Sequence, residues 1–155
     1  MPRKSQKSPA QTYEHFIFEL GEWEPSYSVG VNHSKLNDDP YSEHLSIELR
    51  ASCIFPAKFV GRAIVVRLWG DRQFLTPKIR EYDKGWMPRC IGVLDMRPQR
   101  SEFNTSLPHD ALWGLIATLP TGRFRYLLLY GYSLKRGQSL CQSIDFQQSV
   151  NLDDY

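Results

Sequence analysis

The stretch from His44 to Cys53 restricts the fold more than any other. Leu45, Ile47, Leu49, Ala51 and Cys53 fall at every second position, with His44, Ser46, Glu48, Arg50 and Ser52 between them. A period of two belongs to an antiparallel strand with one buried face and one wet face. Such a strand needs a second apolar layer over its dry face, so it points to a sheet-based core.

Other segments supply that layer. Phe16, Phe18 and Leu20 alternate with His15, Ile17 and Glu19; beyond Gly21–Pro25, Tyr27, Val29, Val31 and His33 share a face. These read as two strands of a hairpin joined by a turn. Phe59–Trp69 is apolar on both faces around Ala63–Val66, which places it centrally. Cys90–Met96 and Ser101–Ser106 read as a short hairpin. Arg123–Tyr132 and Gln138–Phe146 read as a second hairpin closed by Lys-Arg-Gly-Gln. The run from Tyr126 to Tyr132 is too apolar for an edge and should be paired on both sides.

A single helix is expected from Pro108 to about Thr118. Leu112, Leu115, Ile116 and Leu119 recur at helical spacing, Asp110 lies in the first turn, and Pro120 ends the segment. Trp113 flanks that stripe and should be packed. The expected fold is therefore mainly β: an antiparallel β-sandwich, or a partly open barrel, of about eight strands with one short α-helix near residues 108–119. With 155 residues there is material for one domain, over 12–150. A basic tail precedes it at 1–11 and a frayed end follows at 151–155.

Several function classes lose support at this stage. No P-loop, dinucleotide fingerprint or nucleophile elbow occurs. No apolar run approaches the roughly 18 residues of a membrane-spanning helix, and the basic N-terminus has no apolar segment behind it. Cys53, Cys90 and Cys141 are an odd number without C-x-x-C spacing, and they read as buried thiols in a reducing, cytoplasmic setting. No cofactor is implied.

Charge is uneven. Residues 12–49 carry one basic and eight acidic groups, whereas 50–136 carry fifteen basic and six acidic groups, although the net charge is only +2. Either a polarised binding face results, or acidic and basic strands neutralise one another.

The leading expectation is a non-catalytic interaction module whose partner is another protein or a second copy of itself. The contact surface expected for it is the irregular Gly70–Arg89 stretch together with the start of the penultimate strand: Arg72, Phe74, Arg80, Tyr82, Lys84, Trp86, Arg123 and Arg125. Arginines interleaved with aromatics also suit single-stranded nucleic acid, although the pI of about 8.4 is low for a dedicated binder. A third expectation is a metal-dependent hydrolase at His33, Asp38, Asp39 and His44, two histidines flanking a loop with two carboxylates. Trp23, Trp69 and Trp86 with Tyr27 and Tyr41 could stack on sugar rings, but core packing accounts for them equally well.

Overall fold

The structure is a computed structural model that describes residues 11–33, 40–72 and 89–155. Seven strands are present among these: β1 (Tyr13–Val31), β2 (Tyr41–Phe55), β3 (Ala63–Asp71), β4 (Gly92–Arg97), β5 (Arg100–Pro108), β6 (Tyr126–Tyr132) and β7 (Gln138–Gln147). One helix, α1 (His109–Thr118), joins β5 to β6. The mainly β character and the single short helix are as expected. Of the two architectures weighed, the barrel forms, and it is closed, in the order β1-β2-β3-β5-β4-β7-β6.

Closure depends on two pairings that local sequence does not announce. β3 runs parallel to β5, the one parallel pair in an otherwise antiparallel barrel. β6 pairs with β1, Tyr13 opposite Tyr132 through Glu19 opposite Tyr126, which seals the seam. The apolar β6 run thus gains β1 on one side and β7 on the other.

The interior is filled by alternate residues of each strand, as a small barrel requires. Phe16, Phe18, Ile47, Leu49, Val66, Leu68, Leu94, Phe103, Leu127 and Leu129 are fully buried or nearly so. The helix packs against β2, β3 and β5 and adds Leu112, Leu115 and Leu119 to the same core, with Ile116 half-buried beside them. It ends in a 3-10 turn, Leu119–Thr121, and Gly122 then turns the chain with φ 68°. The β6–β7 hairpin uses a two-residue turn in which Arg136 and Gly137 have φ 53° and 84°, a geometry that follows the twist of the flanking strands.

Four boundaries differ from the sequence reading. The two strands expected at 13–20 and 26–33 are one continuous β1, because Gly21–Trp23 holds a bulge instead of a turn. This brings eight expected strands to seven. Leu20 pairs with Ala51 and Trp23 with Leu49, so β1 spends one residue more than β2 and its alternation changes phase. Even-numbered Phe16 and Phe18 enter the core before the bulge; odd-numbered Trp23 packs against it afterwards. β3 begins at Ala63, because Ala57–Phe59 form a 3-10 turn. β6 begins at Tyr126, which leaves Arg123 and Arg125 outside the strand. The last residues return to the barrel: Leu152–Asp154 make a 3-10 turn and the Tyr155 ring meets His15 edge-on at 4.8 Å.

Candidate interaction surface

The phase change in β1 creates an exposed apolar surface among the described residues. β6 accompanies β1 only from Tyr13 to Glu19, and β3 accompanies β2 only from Ser46 to Ser52. Beyond those limits β1 and β2 continue together to the Val31–Tyr41 pair, a two-stranded ribbon among the described residues. Opposed residues share a face, so Tyr27, Val29 and Val31 lie with Leu45, Glu43 and Tyr41. Leu45 is buried at the root. Tyr27, Val29, Val31 and Tyr41 are 51%, 62%, 61% and 63% exposed.

The ribbon's outer edge can be read from its hydrogen bonds. Facing residues in an antiparallel pair alternately exchange both backbone bonds or neither. Asn32 N–H donates to Pro40 C=O at 2.8 Å, so Gly30, Ser28, Ser26 and Glu24 are the residues bonded to β2. Tyr27, Val29 and Val31 therefore turn their N–H and C=O groups away from β2. Those groups have no backbone partner among the described residues. Pro25 has the same outward phase, so its missing N–H costs the ladder nothing, as expected of a proline on an edge.

A polar cluster ties the ribbon to the helix. Arg72 donates to Glu43 at 2.5 Å, and this contact holds the Glu43 carboxyl below its ordinary range against some desolvation. The Tyr27 hydroxyl is pushed up, first by desolvation and then by its hydrogen bond to Glu43. His109 opens α1 and is buried, with Nε2 3.4 Å from Glu43 Oε1. Trp113, one turn later, donates its indole N–H to the same Nε2 at 3.2 Å, and its ring lies 5.7 Å from that of Tyr27. Expected to be packed, Trp113 is instead 43% exposed, because its position on α1 faces the ribbon and not the barrel interior. A cleft of about 510 Å³ lies between ribbon and helix, with Tyr27, Glu43, Arg72 and His109 among its walls.

The residues expected to form the site are not all brought together. Arg72 belongs to this cluster. Phe74, Arg80, Tyr82, Lys84 and Trp86 lie outside the described residues. Arg125 sits at the other end of β1, 3.9 Å from Glu19 and over the Tyr126 ring, and Arg123 is exposed near it. Glu19 is ten positions from Val29, which faces Glu43, so about 30 Å of strand separates Arg125 from Arg72.

Several of the described arginines are held in ion pairs. Arg67 donates to Glu48 on β2 and to Glu102 on β5, both at 3.0 Å, and Arg100 takes the other oxygen of Glu102 at 2.7 Å. Arg97 pairs with buried Asp95, and Lys58 with Glu14 at 2.8 Å. Glu14, Glu43 and Glu48 of the acidic first third thus each meet a basic group, whereas Arg97 and Arg100 are paired within their own stretch. His33 and His44 do not converge: with His44 opposite Ser28, they stand five strand positions apart, about 16 Å. Asp38 and Asp39 lie outside the described residues. Of the aromatics weighed for sugar stacking, Trp23 is packed on the core and Trp69 is 42% exposed on β3.

Reading the sequence missed Tyr27, Glu43, His109 and Trp113 as a group, because they come from three elements. The available signal was Pro25 followed by uncharged, alternating Ser26–Val31, which marks an edge without guarding charges. No protein-family model matches the chain, and neither a curated protein nor a solved structure matches it.

Proposed function

We propose that this protein works by contact, as a non-catalytic interaction module whose binding surface is the β1–β2 ribbon. One observation carries this reading: an exposed apolar face, Tyr27, Val29, Val31 and Tyr41, on a ribbon whose outer strand is unpaired among the described residues. Exposed apolar surface of this kind marks contact sites, and an open strand edge is a ready template for another chain. On the ribbon Glu43 is paired with Arg72, and the Tyr27 ring lies 5.7 Å from that of Trp113 on α1, so the face is presented on a packed support. A nucleic-acid role is less well supported, because Arg67, Arg72, Arg97 and Arg100 are paired with carboxylates.

Photo-crosslinking tests the reading. A benzophenone amino acid replacing Tyr41 should give one adduct with a polypeptide of defined mass in cells producing the protein. The same group at Leu140, an exposed apolar position on β7, should give none. Absence of an adduct from position 41, or equal labelling from 140, would sink the proposal.

A further inference from the structure

We infer that the occupant of the open β1 edge is a second copy of this chain, paired antiparallel with Val29 on the two-fold axis. The inference rests on the contact reading above and names its partner. The edge groups point outward at Tyr27, Val29 and Val31, which is symmetric about Val29. A two-fold axis there sets Val29 against the partner's Val29 and Tyr27 against the partner's Val31. Each of these residues has an N–H and a C=O without a backbone partner among the described residues, so the pairing forms about six backbone hydrogen bonds. Shifting the axis by one position, to Ser28, keeps about six bonds but sets Pro25 against the partner's Val31, so each end pair is held by one bond instead of two.

Charge and side chains favour the same register. From Pro25 to Val31 β1 carries no charge, so nothing repels along the shared edge. Glu22 and Glu24 of the two copies fall at opposite ends of it. There Pro25 faces the partner's His33, with Glu24 beside it. Across the seam each Tyr27 meets a β-branched valine, a favourable cross-strand pair. Because Tyr41 stands opposite Val31, the exposed faces join into one strip running through Tyr41, Val31 and the partner's Tyr27. The result is a four-stranded sheet bridging two barrels, in which the β1 edge of each copy is covered by the other.

Disulfide trapping reads the register. A hydrogen-bonded antiparallel pair spaces its Cα atoms by about 5.5 Å, within disulfide reach. In a Cys90→Ser background, diamide should convert Val29→Cys into a covalent dimer. Tyr27→Cys and Val31→Cys should each stay monomeric alone and cross-link when mixed. Sedimentation should show the unmodified protein as a dimer and Val29→Lys as a folded monomer. If Val29→Cys remains monomeric while the benzophenone at position 41 captures a different polypeptide, the second-copy inference is overturned and the contact reading stands. No adduct at position 41 and no disulfide at Val29 would remove both.

Discussion

The indole N–H of Trp113 donates to Nε2 of His109, one helical turn earlier, across 3.2 Å. An imidazole nitrogen that accepts a hydrogen bond carries no proton, so neutral His109 holds its hydrogen on Nδ1. Glu43 Oε1, 3.4 Å from the same Nε2, is a second partner that only a protonated Nε2 can use. Trp113→Phe removes the donor. The expected outcome is transfer of the hydrogen to Nε2, which then donates to Glu43, with about 1 kcal/mol of stability lost. Long-range proton–nitrogen NMR distinguishes the two tautomers; an unchanged Nδ1–H form would show that Trp113 does not set it.

Cys53 and Cys141 are fully buried, and desolvation pushes their thiols up to about 11 and about 12. A thiol must ionise to react, so neither should be alkylated at neutral pH. Cys90 is half-buried. Iodoacetamide should label Cys90 alone in the native protein and all three cysteines in denaturant, as counted by mass spectrometry.

Asp95 is buried on β4, where Arg97 donates to its carboxylate from side chain and backbone and Gln138 adds a third contact. Together these hold the carboxyl well below the usual range, with the Arg97 guanidinium first and desolvation opposing it. A carboxyl lowered on folding stabilises the protein above its unfolded value, near pH 4, and this is lost as the pH falls further. Asp95→Asn should therefore cost about 2 kcal/mol at pH 7, a moderate figure because Arg97 is half exposed to solvent. It should also flatten the decline in stability below pH 4, measured by urea unfolding. Parallel acid limbs in the two proteins would count against this account.

Gly131 faces Cys141 at the irregularity between β6 and β7. A Cβ there would lie 2.7 Å from both the Leu140 carbonyl oxygen and Ser139 Oγ, and 2.9 Å from Cys141 Cα. Two of those atoms are backbone and cannot swing aside. Gly131→Ala should destabilise by about 2 kcal/mol or more. Gly114→Ala, on α1 with nothing within 4 Å, should be neutral or stabilising. Thermal melts of the pair would decide it.

How far the molecule could be read from its sequence depended on distance along the chain. The Leu45–Cys53 alternation and the Leu112–Leu119 stripe are local signals, and both became core as read. The bulge at Gly21–Trp23 escaped because one extra residue beside a proline looks like a turn, and only the partner strand shows that the chain runs on. Barrel closure escaped for a related reason: strand faces are written locally, but neighbours are not. At the surface, Arg72 was found from its place in the chain, whereas Glu43 and His109 have no pattern of their own. Their meaning lies in a contact between β2 and the first residue of α1.

The β1–β6 seam also sets the order of assembly. Tyr13 and Tyr132 are partners at opposite ends of most of the chain, whereas β2 pairs β3, and β6 pairs β7, across short connections. Contacts between distant segments carry the largest loop-closure entropy and form late. Until they form, the interior face of β1, with Phe16 and Phe18, stands open to solvent. The zipping of β1 onto β6 is thus the expected slow event in folding, and the species expected before it is an unclosed sheet with two raw margins. Chaperone dependence and losses during refolding should track the Tyr13–Glu19 segment more closely than any residue of the helix.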